Sequence, residues 1–316
     1  MNILVTGGGG FIGSHLVEKL LSKDNKVVCV DNFVFNHKVC IKSFHDHNNF
    51  KLYEIDINNY DELNRIFKNE KFDFVYHLAA NSDIKLGYSN FNVDLNNSFL
   101  STYNILRCMI ENSVKNLMFA STSAIYGKLN TILNEDTGPL LPISNYGAAK
   151  LSSEAYISSF TECYDLRAWI VRFPNVVGWR LTHGVIYDFI NKLNDNSSVL
   201  QILGDGKQEK PYLFVQDLLE AIELIIKKSN NNVNIFNVSP DNFSTVDYIA
   251  NTLIKKMNIK DVNISYSGGK VGWVGDVSKF KYDTAKIRDL GWRPNYTSDQ
   301  AIDFSIEKEL EFQNQI

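Results

Sequence analysis

At 316 residues and 44% apolar content, the chain is long enough to bury a large core, as one α/β unit or as two closely joined lobes. A formal net charge of −4 with no lysine/arginine run offers no footprint for nucleic acid or an anionic membrane, and no apolar segment reaches the length of a membrane span. Cys29, Cys40, Cys108 and Cys163 are scattered without a C-x-x-C pair, and the first strand starts at the N-terminus, so the reading is a cytoplasmic protein with reduced thiols and no leader.

Ile3-Leu4-Val5 predicts a strand, and Leu16, Val17, Leu20 and Leu21 predict a helix. Between them stands Thr6-Gly7-Gly8-Gly9-Gly10-Phe11-Ile12-Gly13, with glycines at T-G-x-x-G-x-x-G spacing. Gly7, Gly10 and Gly13 let the chain turn tightly, so that backbone N–H groups, those of Phe11 and Ile12 included, approach a pyrophosphate at a positive helix end. A second strand, Val27-Val28-Cys29-Val30, ends in Asp31 and Asn32, where the Asp31 carboxylate accepts from a ribose diol and repels a 2′-phosphate. The cofactor expected is NAD, not NADP.

The polar loop that follows holds His37, His45 and His47, without acidic or cysteine partners at ligand spacing, so no metal is expected. A third strand over 51–55 leads into Asp56 and Ile57, placed for an adenine edge; a helix-capping role for Asp56 is the alternative. After a helix over 60–67, the strand 74–78 ends in Leu78-Ala79-Ala80, small enough for a cofactor to lie against the backbone. The spacing then predicts a helix over 93–111, a strand 117–120 ending in Ser121-Thr122-Ser123, a long helix from Tyr146 and a strand 168–171. This alternation implies a doubly wound parallel sheet with right-handed crossovers. Beyond Arg172, helices are expected at 185–193, 215–227, 246–257 and 284–290, with strands at 200–203 and 234–238, closing a substrate cleft over the sheet's carboxyl edge.

Tyr146-Gly147-Ala148-Ala149-Lys150 puts a phenol and an amine on one helix face. A tyrosine titrating near 10 is too weakly acidic to serve as a base at neutral pH, and a neighbouring ammonium together with the positive nicotinamide ring favours its phenolate. Thr122 offers a hydroxyl to the same substrate oxygen.

These motifs, with His77-Leu78-Ala79-Ala80 and Ser121-Thr122-Ser123-Ala124-Ile125-Tyr126-Gly127, resemble an extended short-chain dehydrogenase/reductase. Arg172-Phe173-Pro174-Asn175-Val176-Val177-Gly178, Thr182-His183-Gly184-Val185-Ile186-Tyr187-Asp188-Phe189, Gly204-Asp205-Gly206 and Gly272-Trp273-Val274-Gly275-Asp276-Val277 are similar to its nucleotide-sugar epimerase/dehydratase branch, nearest the UDP-glucose (UDP-galactose) 4-epimerases. The resemblance implies a Rossmann-type NAD-binding domain over 1–172 and a smaller mixed α/β nucleotide-sugar lobe over 173–316, interleaved with it. It implies Tyr146 as the base, Lys150 on the nicotinamide ribose, and Thr122 with Ser123 at the sugar. Asn97 and Phe173 fall near the cofactor, and Asn175, Arg180 and Lys210 near the sugar diphosphate. A homodimer through the helices at 93–111 and 146–164 also follows, with a UDP-sugar as the small-molecule partner. Three departures touch the diphosphate: Val271 where relatives often carry arginine, Lys210-Pro211-Tyr212 in place of R-D-Y, and Pro174 where a small residue is usual. Relatives that dehydrate or decarboxylate carry a carboxylate just after the active-site threonine. Here Ser123 and Ala124 follow Thr122, which favours 4-epimerisation over 4,6-dehydration, although Asp83 offers an acid from the neighbouring loop. A non-catalytic NAD-binding regulator is the alternative of another class.

Overall fold

The computed structural model describes residues 1–34, 38–81, 83–129, 131–269, 272, 277 and 279–315. Strand β1 (Asn2–Thr6) enters the glycine turn and helix α1 (Phe11–Leu21), followed by β2 (Lys26–Asp31), β3 (Phe50–Glu54), α2 (Tyr60–Glu70) and β4 (Phe74–His77). Helices α3 (Ile84–Ser89) and α4 (Phe91–Asp94) come next, then a π-helical turn over Leu95–Leu100 and α5 (Ser101–Glu111). A single helix over 93–111 is what the spacing predicts. The wider turn persists because its carbonyls have side-chain donors: Ser101 Oγ bonds the Asn97 oxygen at 2.9 Å, and Thr102 Oγ1 and Ser153 Oγ bond that of Ser98 at 2.7 and 3.1 Å.

The chain continues through β5 (Asn116–Thr122), β6 (Ile132–Leu133), α6 (Asn145–Tyr164), β7 (Arg167–Phe173), β8 (Asn175–Val177), α7 (Val185–Asp195), β9 (Val199–Ile202) and β10 (Glu209–Lys210). It ends with β11 (Tyr212–Phe214), α8 (Val215–Lys228), β12 (Val233–Asn237), β13 (Ser244–Thr245), α9 (Val246–Lys256), β14 (Asn263–Tyr266), β15 (Lys281–Tyr282), α10 (Ala285–Asp289) and α11 (Ser298–Gln313). Helix α11 is absent from the sequence expectations. Its start carries a capping box, Thr297 accepting from the Gln300 N–H while the Gln300 side chain accepts from the Thr297 N–H.

Seven strands form one parallel sheet in the order β12-β7-β5-β4-β1-β2-β3. Alternate residues along each strand point to opposite faces, which splits the core in two. Ile3 and Val5 pack with Leu16, Val17 and Leu20 of α1 and Leu218 and Ile222 of α8. Leu4 and Val75 pack on the other side with Leu63 and Phe67 of α2, Leu106 and Met109 of α5 and Ile157 of α6. A third core joins α7, α9 and α11, and Phe11 at the head of α1 belongs to it. The strand order reverses between β4 and β1, so a crevice opens at the carboxyl ends of the central strands, the usual ligand position in such sheets. Among the described residues, no helix is long and apolar enough to cross a membrane.

Candidate active site

The glycine turn is fastened at both ends. Gly7, at φ +70°, donates its N–H to the Val30 oxygen at 2.9 Å. A Cβ there would come 2.7 Å from the Ala79 nitrogen, and one at Gly13 would come 2.1 Å from the Gly7 oxygen. Both positions therefore need glycine. Gly10 caps α1 with extended backbone and no side-chain cap, so the first-turn N–H groups of Phe11, Ile12 and Gly13 have no side-chain acceptor. Buried Phe11 and half-buried Ile12 pack inward, which leaves their backbone facing the turn.

Asp31, 5% exposed, lies beneath the same turn. Its Oδ2 accepts from the Gly9 N–H at 3.0 Å and its Oδ1 from the Phe33 N–H at 2.8 Å. The residue read as a ribose acceptor thus also braces the glycine turn. One cavity is lined by Gly7, Asp31, Asn32, Asp56, Ile57, Ala79, Ala80 and Asn97, together with Asn58. The helix-capping alternative for Asp56 does not hold. Asn59 caps α2, accepting from the Glu62 N–H, while Asp56 Oδ1 accepts from the Asn58 N–H at 2.8 Å and leaves the carboxylate at the cavity.

Behind the wall at Leu78 and Ala79 lies a buried polar chain. Thr102 donates to the Ser98 carbonyl, so its oxygen accepts from His77 Nε2 at 3.0 Å; His77 Nδ1 then accepts from Thr6 Oγ1 at 2.6 Å, and Thr6 accepts from the Ala79 N–H at 3.3 Å. Every donor finds an acceptor only if His77 is neutral with its proton on Nε2. Burial agrees, lowering its pKa to about 3, with the Lys150 charge adding to the shift.

Thr122, Tyr146 and Lys150 are brought together at the end of β5. Thr122 is the register partner of Phe173, is 8% exposed, and takes the Ala124 N–H on Oγ1 at 3.1 Å. Half-buried Tyr146 hydrogen-bonds with Thr122. One turn on, Lys150 is 2% exposed; its Nζ donates to the Ala120 carbonyl at 2.8 Å and sits 4.5 Å from the centre of the Phe119 ring. Burial lowers the Lys150 pKa to about 7, against the opposing pull of Glu154 and Asp94. Burial also pushes Tyr146 up to about 12; the Thr122 bond draws it down, and the Asp94 charge pushes it further up. The expected depression of Tyr146 concerns the ammonium and the positive nicotinamide ring together; in the protein alone, burial dominates the shift.

Below this layer the sequence reading missed an ion pair. Glu154, on the Tyr146–Lys150 face at i+8 and i+4, takes Arg172 Nη2 at 2.7 Å and Nε at 3.1 and 3.3 Å, and also the Ser121 hydroxyl. Arg172 Nη1 continues to the Tyr126 hydroxyl at 2.8 Å, which donates to Asn237 Oδ1 at 2.8 Å. The signal was present as three polar residues at helical spacing.

The residues expected at the diphosphate lie in different surroundings. Asn175 is exposed at the start of β8, and Lys210 is buried in β10 opposite Ser244. Arg180, at φ +63° and 7% exposed, has its Nη1 2.8 Å from the carboxylate of half-exposed Glu18 of α1, an ion pair within the protein. Ser123 opens a 3-10 turn directly after Thr122. His37, Val271 and the Trp273–Asp276 stretch lie outside the described residues, among which no group of histidine, cysteine or carboxylate side chains could hold a metal.

Residues 3–239 match the NAD dependent epimerase/dehydratase family. A putative UDP-glucose 4-epimerase of Methanocaldococcus jannaschii is 30% identical over 95% of each chain. The crystal structure of the Thermotoga maritima UDP-glucose 4-epimerase with UDP-glucose superposes with a TM-score of 0.88, at 30% identity, over 99% of this chain and 100% of that one. A human dTDP-D-glucose 4,6-dehydratase is 27% identical over 96% of this chain and 89% of its own.

Proposed function

The chain belongs to the NAD dependent epimerase/dehydratase family, and from that premise we propose that it is a nucleotide-sugar 4-epimerase of the UDP-glucose/UDP-galactose type. The observation that carries this reading is the make-up of the layer at Thr122. A hydroxyl, a phenol and a lysine meet there, and the next residues are Ser123 and Ala124, the latter bonded straight back to Thr122. Inversion at C4 needs one group that takes a proton and returns it. Dehydration needs a further acid and base for the 6-hydroxyl and the C5 proton.

NAD, when bound, supplies a two-electron acceptor that returns the hydride within the same turnover. Gly7, the first-turn N–H groups of α1, Asp31, Ala79, Ala80 and Asn97 would hold it, and the uncapped helix start and close-packed glycines fit a pyrophosphate there. Residues 1–172 form the cofactor half in this reading and 173–316 the sugar-nucleotide half, interleaved where β12 joins the main sheet. Thr122 hydrogen-bonds the sugar 4-oxygen while Tyr146 takes its proton. Burial pushes Tyr146 up to about 12, so proton removal depends on positive charge beside the phenol, the role Lys150 takes in this reading. Asn175 and Lys210 remain candidates for the diphosphate end; Arg180 is better read as a brace between its loop and α1.

A symmetric dimer is part of the same proposal. Phe99, Tyr103, Tyr156, Phe160 and Tyr164 form a continuous run of ring contacts on the outer side of α5 and α6, with Tyr156 and Tyr164 exposed.

The dehydratase relatives, and Asp83 on the loop after β4, favour 4,6-dehydration as the second reading. Incubation with UDP-, GDP-, CDP- and ADP-sugars in D₂O separates the two. A C4 stereoisomer without deuterium identifies the epimerase; loss of water with deuterium at C6 overturns it. Tyr146→Phe should abolish turnover while NAD stays bound, and substantial residual activity would remove Tyr146 from the base role.

A further inference from the structure

The polar chain behind Leu78 and Ala79 does not stop at Thr102. Ser153 of α6 follows Ala149 and Lys150 by one turn. Its Oγ is within hydrogen-bond reach of the Ser98 and Ala149 carbonyls, at 3.1 and 2.9 Å, and lies 3.3 Å from Thr102 Oγ1. The chain therefore runs from Ser153 through Thr102, His77 and Thr6 to Ala79, crossing α6, α5, β4 and β1. His77 stands in the middle, 3.0 Å from Thr102 Oγ1 and 2.6 Å from Thr6 Oγ1. Ser153, Thr102, His77 and Thr6 are each 0–1% exposed, so they stand behind the cavity wall and not in the cavity.

Several pieces of that wall hang on the chain. Thr6 grips two consecutive residues: its carbonyl takes the Leu78 N–H at 3.1 Å and its hydroxyl oxygen takes the Ala79 N–H at 3.3 Å. Gly7, the next residue, packs on Ala79 with no room for a Cβ. At the other end Thr102 and Ser153 both reach the carbonyl of Ser98, the residue after Asn97. Gly7, Ala79 and Asn97 line one cavity.

We propose that His77, with its proton on Nε2, is a positioning residue for the cofactor, locking the Ala79 and Asn97 walls to each other and to the catalytic helix. The proposal rests on the reading of this cavity as the NAD site and owes nothing to the choice between epimerisation and dehydration. Hydrogen-bond direction gives the chain its single arrangement. The Thr6 oxygen takes the Ala79 N–H, and the Thr6 proton goes to His77 Nδ1; a proton on Nδ1 would strand that hydroxyl in a fully buried layer. The two walls come from different elements, the loop after β4 and the π turn, so a bound nucleotide needs them held at one spacing. An empty cavity has no such need, and its walls can shift to relieve a stranded group. The cost of breaking the chain therefore falls on the bound state and is read as lost affinity.

The first measurement needs no variant. NMR of protein labelled with ¹⁵N-histidine reports which ring nitrogen carries the proton, and His77 is assigned through the Phe119 ring, 5.8 Å away between centres. The proton should sit on Nε2 and the ring should stay neutral between pH 5 and 8. An Nδ1–H tautomer, or a titration within that range, overturns the proposal. Equilibrium dialysis with radiolabelled NAD then reads the walls. Thr102→Val strands the Nε2–H and takes one of two hydroxyls from the Ser98 carbonyl, so NAD should bind about tenfold more weakly. Thr102→Ser keeps the hydroxyl and loses a methyl group, and should bind NAD as the unaltered protein does. A merely structural Thr102 would lower the melting temperature in both variants and leave the affinity in place. A folded Thr102→Val protein whose affinity stays within about twofold overturns the proposal. Ala80→Leu fills the cavity from outside the chain and should block NAD. If it does not, the cofactor lies elsewhere and the proposal falls with its premise, a result distinct from an unchanged Thr102→Val beside a blocked Ala80→Leu.

Discussion

Replacing Arg172 with methionine keeps most of the side chain's volume and removes its charge from beneath the catalytic layer. The guanidinium makes three contacts to Glu154, one to the Tyr126 hydroxyl and one to the Glu135 carbonyl at 3.2 Å, with side-chain exposures of 4% for Arg172 and 6% for Glu154. Tyr126 keeps partners in the Asn134 carbonyl and Asn237, so its loss is small. Glu154 keeps the Ser121 hydroxyl as a hydrogen-bond donor and the Lys150 charge one turn away, but its carboxylate loses its paired guanidinium and dominates the cost. Breaking a buried pair from one side typically costs about 3–5 kcal/mol, a large part of a total stability of about 5–15 kcal/mol. Urea unfolding at fixed protein concentration, followed by far-UV circular dichroism with the slope held constant, measures it. Adding Glu154→Gln to Arg172→Met neutralises the stranded charge, so the double variant should be more stable than the sum of the singles by at least about 1 kcal/mol. A loss below about 1 kcal/mol for Arg172→Met, or strict additivity in the double variant, would refute the reasoning.

Acid should destabilise the protein through two histidines. Burial lowers His15 and His77 to about 3 from an ordinary 6.5, so between those limits the unfolded chain binds more protons and stability falls as pH falls, by about 1.4 kcal/mol per pH unit for each. His15→Leu, within its cage of Phe11 and Trp179, should remove one proton from that slope between pH 6 and 4.5; equal slopes in both proteins would contradict it. On the aromatic face of α6, Tyr156→Arg should convert a dimer to monomer by sedimentation velocity, and an unaltered mass would move the interface elsewhere or remove it.

Much of the fold was legible because its signals are local. The strand, glycine turn and helix at residues 2–21 lie within one stretch, and the strand alternation across 26–173 reports a buried parallel sheet without knowledge of its partners. The Tyr146–Lys150 pair was legible for the same reason, a four-residue spacing on one helix. What was not legible depends on the rest of the molecule. Arg180 looks like a phosphate ligand in a string of letters, but its partner Glu18 lies 162 positions earlier. The direction of the Tyr146 and Lys150 shifts depends on how much water the packed layers exclude, which spacing does not encode. The π turn is set by hydroxyls on both α5 and α6. Helix α11 is different: its capping box stood in plain view as Thr297-Ser298-Asp299-Gln300, and only its mixed apolar pattern hid it.

That last helix has a consequence for the order of events at the ribosome. Glu309 of α11 is 1% exposed, and its carboxylate takes the Leu181 N–H at 3.2 Å, beside Arg180 in the loop between β8 and α7. The glycine turn is synthesised almost 300 residues before this partner, a delay of about 15–60 s at ordinary elongation rates. The cofactor side can collapse on its own layers during that interval, whereas the Leu181 N–H waits for a residue not yet made. Assembly is therefore staggered in time, with α11 fastening the loop at Leu181 only after the glycine turn has long been made.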